Sequence, residues 1–427
     1  MLSRAFVVLF IAMFVAMLGV GMVSPLLPVY VREDLGGPAI AVALSFSGLA
    51  IAQIIMSPWT GRWGDRYGLK RFIVGGFVIY AIGAFGYLFS PNWELVVFFR
   101  ILSGVGAAGV FPMTLAYVGR LAPPQGEGRY MGVFMMAQMT GFGLGPLVGG
   151  GLRDVFNSET AFATMGILLA ATALGALLLL PSQSGGDGEG DELPWLAVVQ
   201  RKSVQAAVLF MVMMAFGWGA AFAFLAIFVV DEAGLGLDST LFVGLLLSGR
   251  QVTNALLQPL TGALADRYAR TRLIAIGLSV SATSQLLIPL VPGTLVDVPF
   301  GAAVFTIAPA VLAVVLLAGI GEAIAMPAQQ AIFVSLGRLV GMGSLMGLNN
   351  MGISIGLLAG SLAGAVVVEV FGINAVFLFS GAVLYAGTVV YLLAMRRARD
   401  EMREAEEQAR RIEEGREVEH PAPRPAS

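Results

Sequence analysis

Apolar residues run along this chain in long continuous blocks, broken by short polar stretches. The blocks predict helices at 5–31, 40–60, 72–90, 94–118, 130–152, 160–180, 205–230, 239–264, 272–292, 305–334, 341–368 and 373–395. Each has the length to cross a hydrocarbon core of about 30 Å. A spanning segment must satisfy its own backbone polar groups, which leaves helices or a closed barrel. A barrel would show alternating segments of about ten residues, and these blocks do not alternate. The run from Ala5 to Val31 is too long for a leader h-region and reads as span 1. The expectation is an all-α membrane protein of twelve transmembrane helices in two pseudo-symmetric six-helix bundles.

Composition supports that reading. Of 427 residues, 57% are hydrophobic and 12% charged, against about 25% charged in a soluble domain. The segment Pro181–Ser203 holds a flexible acidic run, Ser-Gly-Gly-Asp-Gly-Glu-Gly-Asp-Glu, between spans 6 and 7. The predicted division is an N-terminal bundle 1–180, a cytoplasmic linker 181–204, a C-terminal bundle 205–395 and a charged cytoplasmic tail 396–427. A weak heptad of small residues enters that tail at Met395, Met402 and Ala409. Basic residues crowd one set of loops, including Arg62, Arg66, Lys70, Arg71, Arg120, Arg129, Arg201, Lys202, Arg267, Arg270, Arg272 and Arg338. The other set holds Arg32 and Arg153. The positive-inside rule then places both termini in the cytoplasm, in a plasma-membrane protein.

The two halves repeat. At an offset of 201, Ser47, Gly48, Pro58, Thr60, Gly61, Asp65, Arg66 and Tyr67 meet Ser248, Gly249, Pro259, Thr261, Gly262, Asp266, Arg267 and Tyr268. At 215, Gly104, Gly106, Pro112, Gly132, Gly141, Gly145 and Gly149 meet Gly319, Gly321, Pro327, Gly347, Gly356, Gly360 and Gly364. The change of register implies an insertion, and the segment Val291–Ala308 is longer than its counterpart around Pro91. Parallel repeats of six spans, with a site between them near the midplane, are a transporter architecture.

The loop after span 2 reads Gly61-Arg-Trp-Gly-Asp65-Arg66-Tyr-Gly68-Leu-Lys70-Arg71. It resembles the signature loop of the major facilitator superfamily, and its second copy keeps Gly262, Asp266 and Arg267. Span 4 carries Arg100-Ile-Leu-Ser-Gly104-Val-Gly106, and span 1 carries Pro25-Leu-Leu-Pro28. Span 5 carries Gly141, Gly145, Pro146, Gly149 and Gly150 in the spacing of the drug:proton antiporter motif. The resemblance covers residues 5–395 and implies alternating access. A helix N-terminus favours a carboxylate. Asp65 at the start of span 11, near Gly341, and Asp266 at the start of span 5, near Tyr130, are therefore expected to latch the halves. Gly61, Arg66, Arg71 and Arg267 complete that set; a charged hairpin needed only for topology is the plainer alternative. Gly141, Gly145 and Gly149 share a face that allows close helix contact, and Pro146 removes one backbone bond. Ordinary small-residue packing is the alternative there.

Three ionisable residues fall inside spans: Arg100, Arg250 and Glu322. Each is costly in a membrane and so a candidate for proton coupling; the bland readings are a structural ion pair for Arg250 with Glu322 and, for Arg100, snorkelling to the outer surface. Arg250, Asn254 and Gln258 follow at steps of four, at a depth similar to that of Glu322. Arg100, Ser103, Thr114 and Tyr117 form a stripe expected to face a cavity. Gln138, Trp218, Asn254 and Gln329 are further cavity-lining candidates. Methionines and aromatics crowd spans 5 and 7, from Phe134 to Phe142 and from Met211 to Phe222, and suit promiscuous apolar sites or plain core and lipid packing. No carboxylate lies in span 1, which argues against broad cation export.

Cysteine is absent and the single histidine, His420, lies in the Pro-rich tail. Thiol or histidine metal sites and histidine proton relays are therefore not expected, nor is a cofactor. Without a Gly-Lys-Ser/Thr phosphate loop there is no expectation of an ATP-driven pump, nor of an enzyme or a nucleic-acid binder. The expected function is proton-coupled export of an apolar or amphipathic small molecule by a monomer in membrane lipid. An uptake carrier or uniporter for a polar metabolite is the alternative within transport. A non-transporting receptor or scaffold, with the tail as its partner site, is the alternative outside it.

Overall fold

The structure is a computed structural model that describes residues 3–123, 126–181, 195–237, 240–291, 293–300 and 303–398, together with 403 and 407. The acidic run of the linker, Met402 and Ala409 of the tail heptad, and His420 lie outside the described residues.

Spans 1 to 6 are α1 (Arg4–Val29), α2 (Ala39–Tyr67), α3 (Leu69–Leu88), α4 (Trp93–Leu121), α5 (Glu127–Val155) and α6 (Ser158–Leu179). A short α7 (Trp195–Gln200) stands inside the expected linker. Spans 7 to 12 are α8 (Lys202–Val230), α9 (Thr240–Arg267), α10 (Arg270–Leu287), α11 (Pro309–Val340), α12 (Met342–Phe371) and α13 (Ile373–Arg397). The protein is an all-α multi-pass membrane protein, with twelve long helices among the described residues, in two six-helix halves. Arg4 and Arg397 mark one face of the bundle, called here the terminal face.

Among the described residues, eight helices are apolar and long enough to cross a membrane on composition alone: α1, α3, α4, α6, α8, α11, α12 and α13. Three of the other four, α2, α5 and α9, spend polar residues on protein rather than lipid. Within each half, α1 packs along α5 and α8 along α12. Between halves, α2 packs along α12 and α5 along α9. Gln53, Ser57, Asn254 and Gln258 are buried in or beside those seams.

Three sequence expectations shift. The hydrophobic pattern ends span 2 at residue 60, but α2 continues to Tyr67, so Asp65 sits on the last turns of a helix and not in a loop. Asp266 likewise lies within α9. Gly68, with φ of 93°, makes the turn into α3; that left-handed backbone conformation suits glycine. Span 10 starts at Pro309 rather than 305. The preceding insertion forms a two-stranded antiparallel hairpin, β1 (Val296–Phe300) and β2 (Ala303–Ile307), pairing Val296 with Ile307 and Asp297 with Thr306. The Thr306 hydroxyl donates to Asp297 Oδ1 at 2.6 Å across it. Val, Ile and Phe alternate poorly with helix period here, and Pro299 and Pro309 bracket the hairpin's second strand, which stops α11 from starting earlier.

Candidate functional site

Two seams close the terminal face. In the first, the carboxylate of Asp65 meets the start of α12. Gly343 N donates to Oδ1 at 2.7 Å and Ser344 N to Oδ2 at 2.6 Å. These are first-turn amides with no partner inside their own helix, and the helix dipole adds to the attraction. Arg120 of α4 donates to Oδ1 at 2.9 Å. The approach depends on small residues: a Cβ built on Gly61 would meet the carbonyl of Gly343, and one on Gly347 the carbonyl of Ser57. Gly341 turns α11 into α12 at φ of 99°, which sets those amides against Asp65. Deeper along the seam, Asn350 Nδ2 donates to Ser57 Oγ at 2.8 Å and Ser354 Oγ to Gln53 Oε1 at 3.1 Å.

The second seam is related but not identical. Asp266 Oδ1 accepts from Gly128 N at 2.7 Å and Oδ2 from Arg129 N at 2.9 Å, at the start of α5. Beside it Glu127, 1% exposed, takes Arg270 Nη2 at 2.9 Å and Arg338 Nη1 at 2.6 Å. Arg338 also donates to the carbonyl of Ala122, and Arg270 to Ser335 Oγ. Glu127 belongs to the first half and both arginines to the second, so this buried triad ties the halves together. The sequence pattern shows Arg120, Arg270 and Arg338 only as loop charges and does not single out Glu127. The signal available was that Glu127 is the only acid in the loop between spans 4 and 5. Arg66, Arg71 and Arg267, expected in the latch, are exposed and bond to neither aspartate; Arg66 stacks over Tyr67 at 5.4 Å.

The antiporter-type glycines seat α5 on α1. A Cβ on Gly141 would meet Phe14 and Leu18, one on Gly145 would meet Gly21 and Leu18, and one on Gly149 would meet Met22. Gly21 in turn faces Pro146, and α5 runs unbroken through that proline. The second half repeats the seat with Gly356 and Gly360 on Val212 and Phe216 of α8.

At depth, the structure brings Arg250 and Glu322 together. Arg250 Nη2 donates to Glu322 Oε1, and Asn254 Nδ2 donates to Oε2 at 3.2 Å. Gln258 Nε2 donates to Asn254 Oδ1 at 2.6 Å. Arg250 is 3% and Glu322 5% exposed. The pair borders a nearly closed cleft of about 10 Å³ whose walls include Met214 and Trp218 of α8, Ser281 and Gln285 of α10, and Leu384 of α13. The cleft lies within the second half, and Trp218 reaches its boundary: its ring stands 6.3 Å from that of Phe142 on α5.

Arg100 is not part of this group. It is 3% exposed, packs its stem beside Gly48 of α2, and its Nε and Nη1 have no acceptor among the described residues. The expected polar stripe on α4 is largely spent within the first half. Ser103 Oγ pairs with Tyr87 Oη at 2.9 Å, Thr114 donates to the carbonyl of Val110, and Tyr117 donates to that of Pro181. Gln329 donates to the carbonyl of Ala207 and meets Tyr391 Oη. Gln138 Oε1 is buried without a donor among the described residues. Within those residues, no group of three acidic or histidine side chains is placed to hold a metal.

The family model of the Major Facilitator Superfamily matches residues 9–247 and again 235–424. The chain belongs to the major facilitator superfamily. The doubled match follows the doubled seams and the repeat. An uncharacterized MFS-type transporter of Methanocaldococcus jannaschii is 25% identical over 399 residues, 92% of this chain and 98% of that one. Multidrug resistance protein 1 of Bacillus subtilis is 26% identical over 385 residues, 88% of this chain and 92% of that one. In fold, the chain is similar to the crystal structure of the human organic anion transporter MFSD10 (TETRAN). The TM-score is 0.74 at 19% identity, covering 91% of this chain and 99% of that chain. This is a membrane transporter of small molecules with the architecture of its superfamily.

Proposed function

We propose that the protein is a proton-coupled exporter of apolar or amphipathic small molecules, working by alternating access, with both termini in the cytoplasm. The observation that carries the coupling is the Glu322 carboxylate, buried at mid-depth against Arg250 and Asn254. Such a carboxylate changes its proton affinity when its partners or hydration change, which a proton-driven cycle requires. The nearly closed cleft beside it joins apolar walls to a few polar groups, the lining a small-molecule site would present once the halves part, and Trp218 and Phe142 bring the second half against the first. Export of drug-like molecules is supported by the likeness to multidrug resistance protein 1. Cytoplasmic termini are supported by the loop charges; the terminal face then seals the cytoplasmic side, which corresponds to an outward-facing state.

The test is substrate flux in vesicles under imposed pH gradients of either sign, using a panel of amphipathic dyes. Accumulation in inside-out vesicles with an acidic lumen, driven by protons leaving as dye enters and lost in Glu322→Gln, is the expected result. Flux in the direction of the proton gradient would make the protein an uptake carrier. Flux insensitive to the gradient would make it a uniporter, and no flux would leave a receptor role.

A further inference from the structure

Arg250, Asn254 and Gln258 stand at steps of four on one face of α9, and all are 3% exposed or less. They form one chain of bonds onto Glu322. Arg250 reaches Oε1 directly. Asn254 reaches Oε2 through Nδ2, and its own Oδ1 is occupied by Gln258 Nε2 at 2.6 Å. An asparagine amide has two faces, one donor and one acceptor. With its oxygen held by Gln258, Asn254 shows its donor face to the carboxylate, and a donor favours the ionised form. Turned over, Asn254 would show its oxygen to Glu322 and accept from the protonated acid.

The far end of this chain lies where the halves meet. A Cβ built on Gly132 of α5 would strike the carbonyl of Gln258, and Gly132 also faces Gly262. Gln258 therefore sits at the α5–α9 crossing, between the Asp266 latch and the buried acid. Its Oε1 is a buried acceptor without a donor among the described residues. An orphan of that kind calls for an explanation, and it leaves the Gln258 amide held by its donor side alone.

We propose that Gln258 and Asn254 are positioning residues that tie opening of the α5–α9 seam to the protonation of Glu322. While the seam is closed, Gln258 fixes Asn254 as a donor to the Glu322 carboxylate. When α5 and α9 part, water competes for the Gln258 amide, Asn254 is free to turn, and the protonated acid gains an acceptor. Only a proton moves, from solvent to a Glu322 oxygen and back. By linkage, proton binding then favours opening of the terminal face and proton release favours its closing. That order is the one an exporter driven by entering protons requires.

The groups facing Glu322 support a local switch. Arg250 comes from α9, Met214 and Trp218 from α8, Ser281 and Gln285 from α10, Leu384 from α13 and Ala325 from α11 itself. Only Arg250 among them is charged. The Glu127–Arg270–Arg338 triad touches the same helix sixteen residues away at Arg338, about 24 Å along the axis.

This inference rests on Glu322 as the coupling acid, so the experiment includes that residue. Parent, Glu322→Gln, Gln258→Met, Asn254→Leu and the Gln258→Met/Asn254→Leu double variant are compared for gradient-driven accumulation and for dye binding at fixed pH. Spin labels on exposed Arg129 and Arg267, replaced by cysteine, report the seam distance against pH. Gln258→Met is expected to lower accumulation about tenfold, with dye binding within about twofold of the parent and a flattened pH response of the seam. Asn254→Leu should do the same, and the double variant should add nothing further, because both act on one chain. Parent-like accumulation and pH response in both single variants, with coupling lost in Glu322→Gln, would overturn the relay and leave the acid's role standing. Parent-like coupling in Glu322→Gln would instead remove the reading on which the relay rests. Additive losses would assign both residues to packing and overturn the relay as well.

Discussion

Asp65 and Gly343 lie 278 positions apart in sequence, yet the amide of one donates to the carboxylate of the other at 2.7 Å. The bond crosses the boundary between halves at the terminal face. Its geometry needs the charge on Asp65, the free amides at the start of α12, and the absence of side chains on Gly61 and Gly343. Asp65→Asn keeps the shape, removes the charge and replaces one acceptor oxygen by a donor. The expected cost to the closed state is about 1–2 kcal/mol. The chain contains no cysteine, so a single cysteine at Asn350 reports the seam cleanly. Its labelling from the terminal face should rise in Asp65→Asn, with expression unchanged. Equal labelling in variant and parent would show that the bond does not hold the seam shut.

The Glu127 triad should matter more than the signature aspartate. Glu127 is 1% exposed and faces two arginines from the other half. Glu127→Gln leaves both cations without their counter-charge, and breaking a buried ionic group of this kind costs about 3–5 kcal/mol. The closed state should lose most of its population, and the same Asn350 cysteine should label faster than in Asp65→Asn. If Arg338→Gln and Glu127→Gln each match the parent, the triad is ornamental to closure.

Much of this fold was legible because hydrophobic runs, glycines and loop charges each have a direct physical reading. The Asp65 and Asp266 contacts followed from the repeat and from the chemistry of helix starts. Glu127, Arg120, Arg270 and Arg338 did not, because a loop charge looks the same in sequence whether it faces water or another loop. Pairing across 211 positions, as between Glu127 and Arg338, leaves no local periodicity to read. The stripe on α4 misled for a related reason. Helical spacing puts Ser103, Thr114 and Tyr117 near one face, but their hydroxyls are spent on α3, on the helix's own carbonyls and on Pro181. The hairpin at 296–307 was visible as an insertion, and its strand character was hidden by its short length.

Gly145 tests the α1–α5 seat. A side chain there would overlap Gly21 and the carbonyl of Leu18, which are backbone and cannot rotate away. Gly145→Val should part the helices and cost about 1–3 kcal/mol, read as a lower melting temperature in detergent. Gly145→Ala should fall between parent and Val. A proton leak in vesicles should accompany the loss if the seat also seals the path. A parent-like melting temperature in Gly145→Val would mean that α1 and α5 are not held at this distance.

The Arg250–Glu322 pair allows its structural and functional roles to be separated. Both groups are nearly sealed from solvent, so Arg250→Ala leaves a carboxylate without its cation, at a cost of about 3–5 kcal/mol. The melting temperature should fall accordingly. Replacing both members by apolar residues of similar size removes the charges together, and such replacements of buried pairs are often neutral or stabilising. The Arg250→Met/Glu322→Leu double variant should therefore recover the stability lost in Arg250→Ala. It should not recover coupling, because no titratable side chain remains beside the cleft. A stable double variant that still accumulates dye against a gradient would place proton coupling elsewhere, with Asp231 or Glu232 beyond α8 as the next acids to test. A stable double variant that binds dye, exchanges it and ignores the gradient would locate the coupling acid at Glu322.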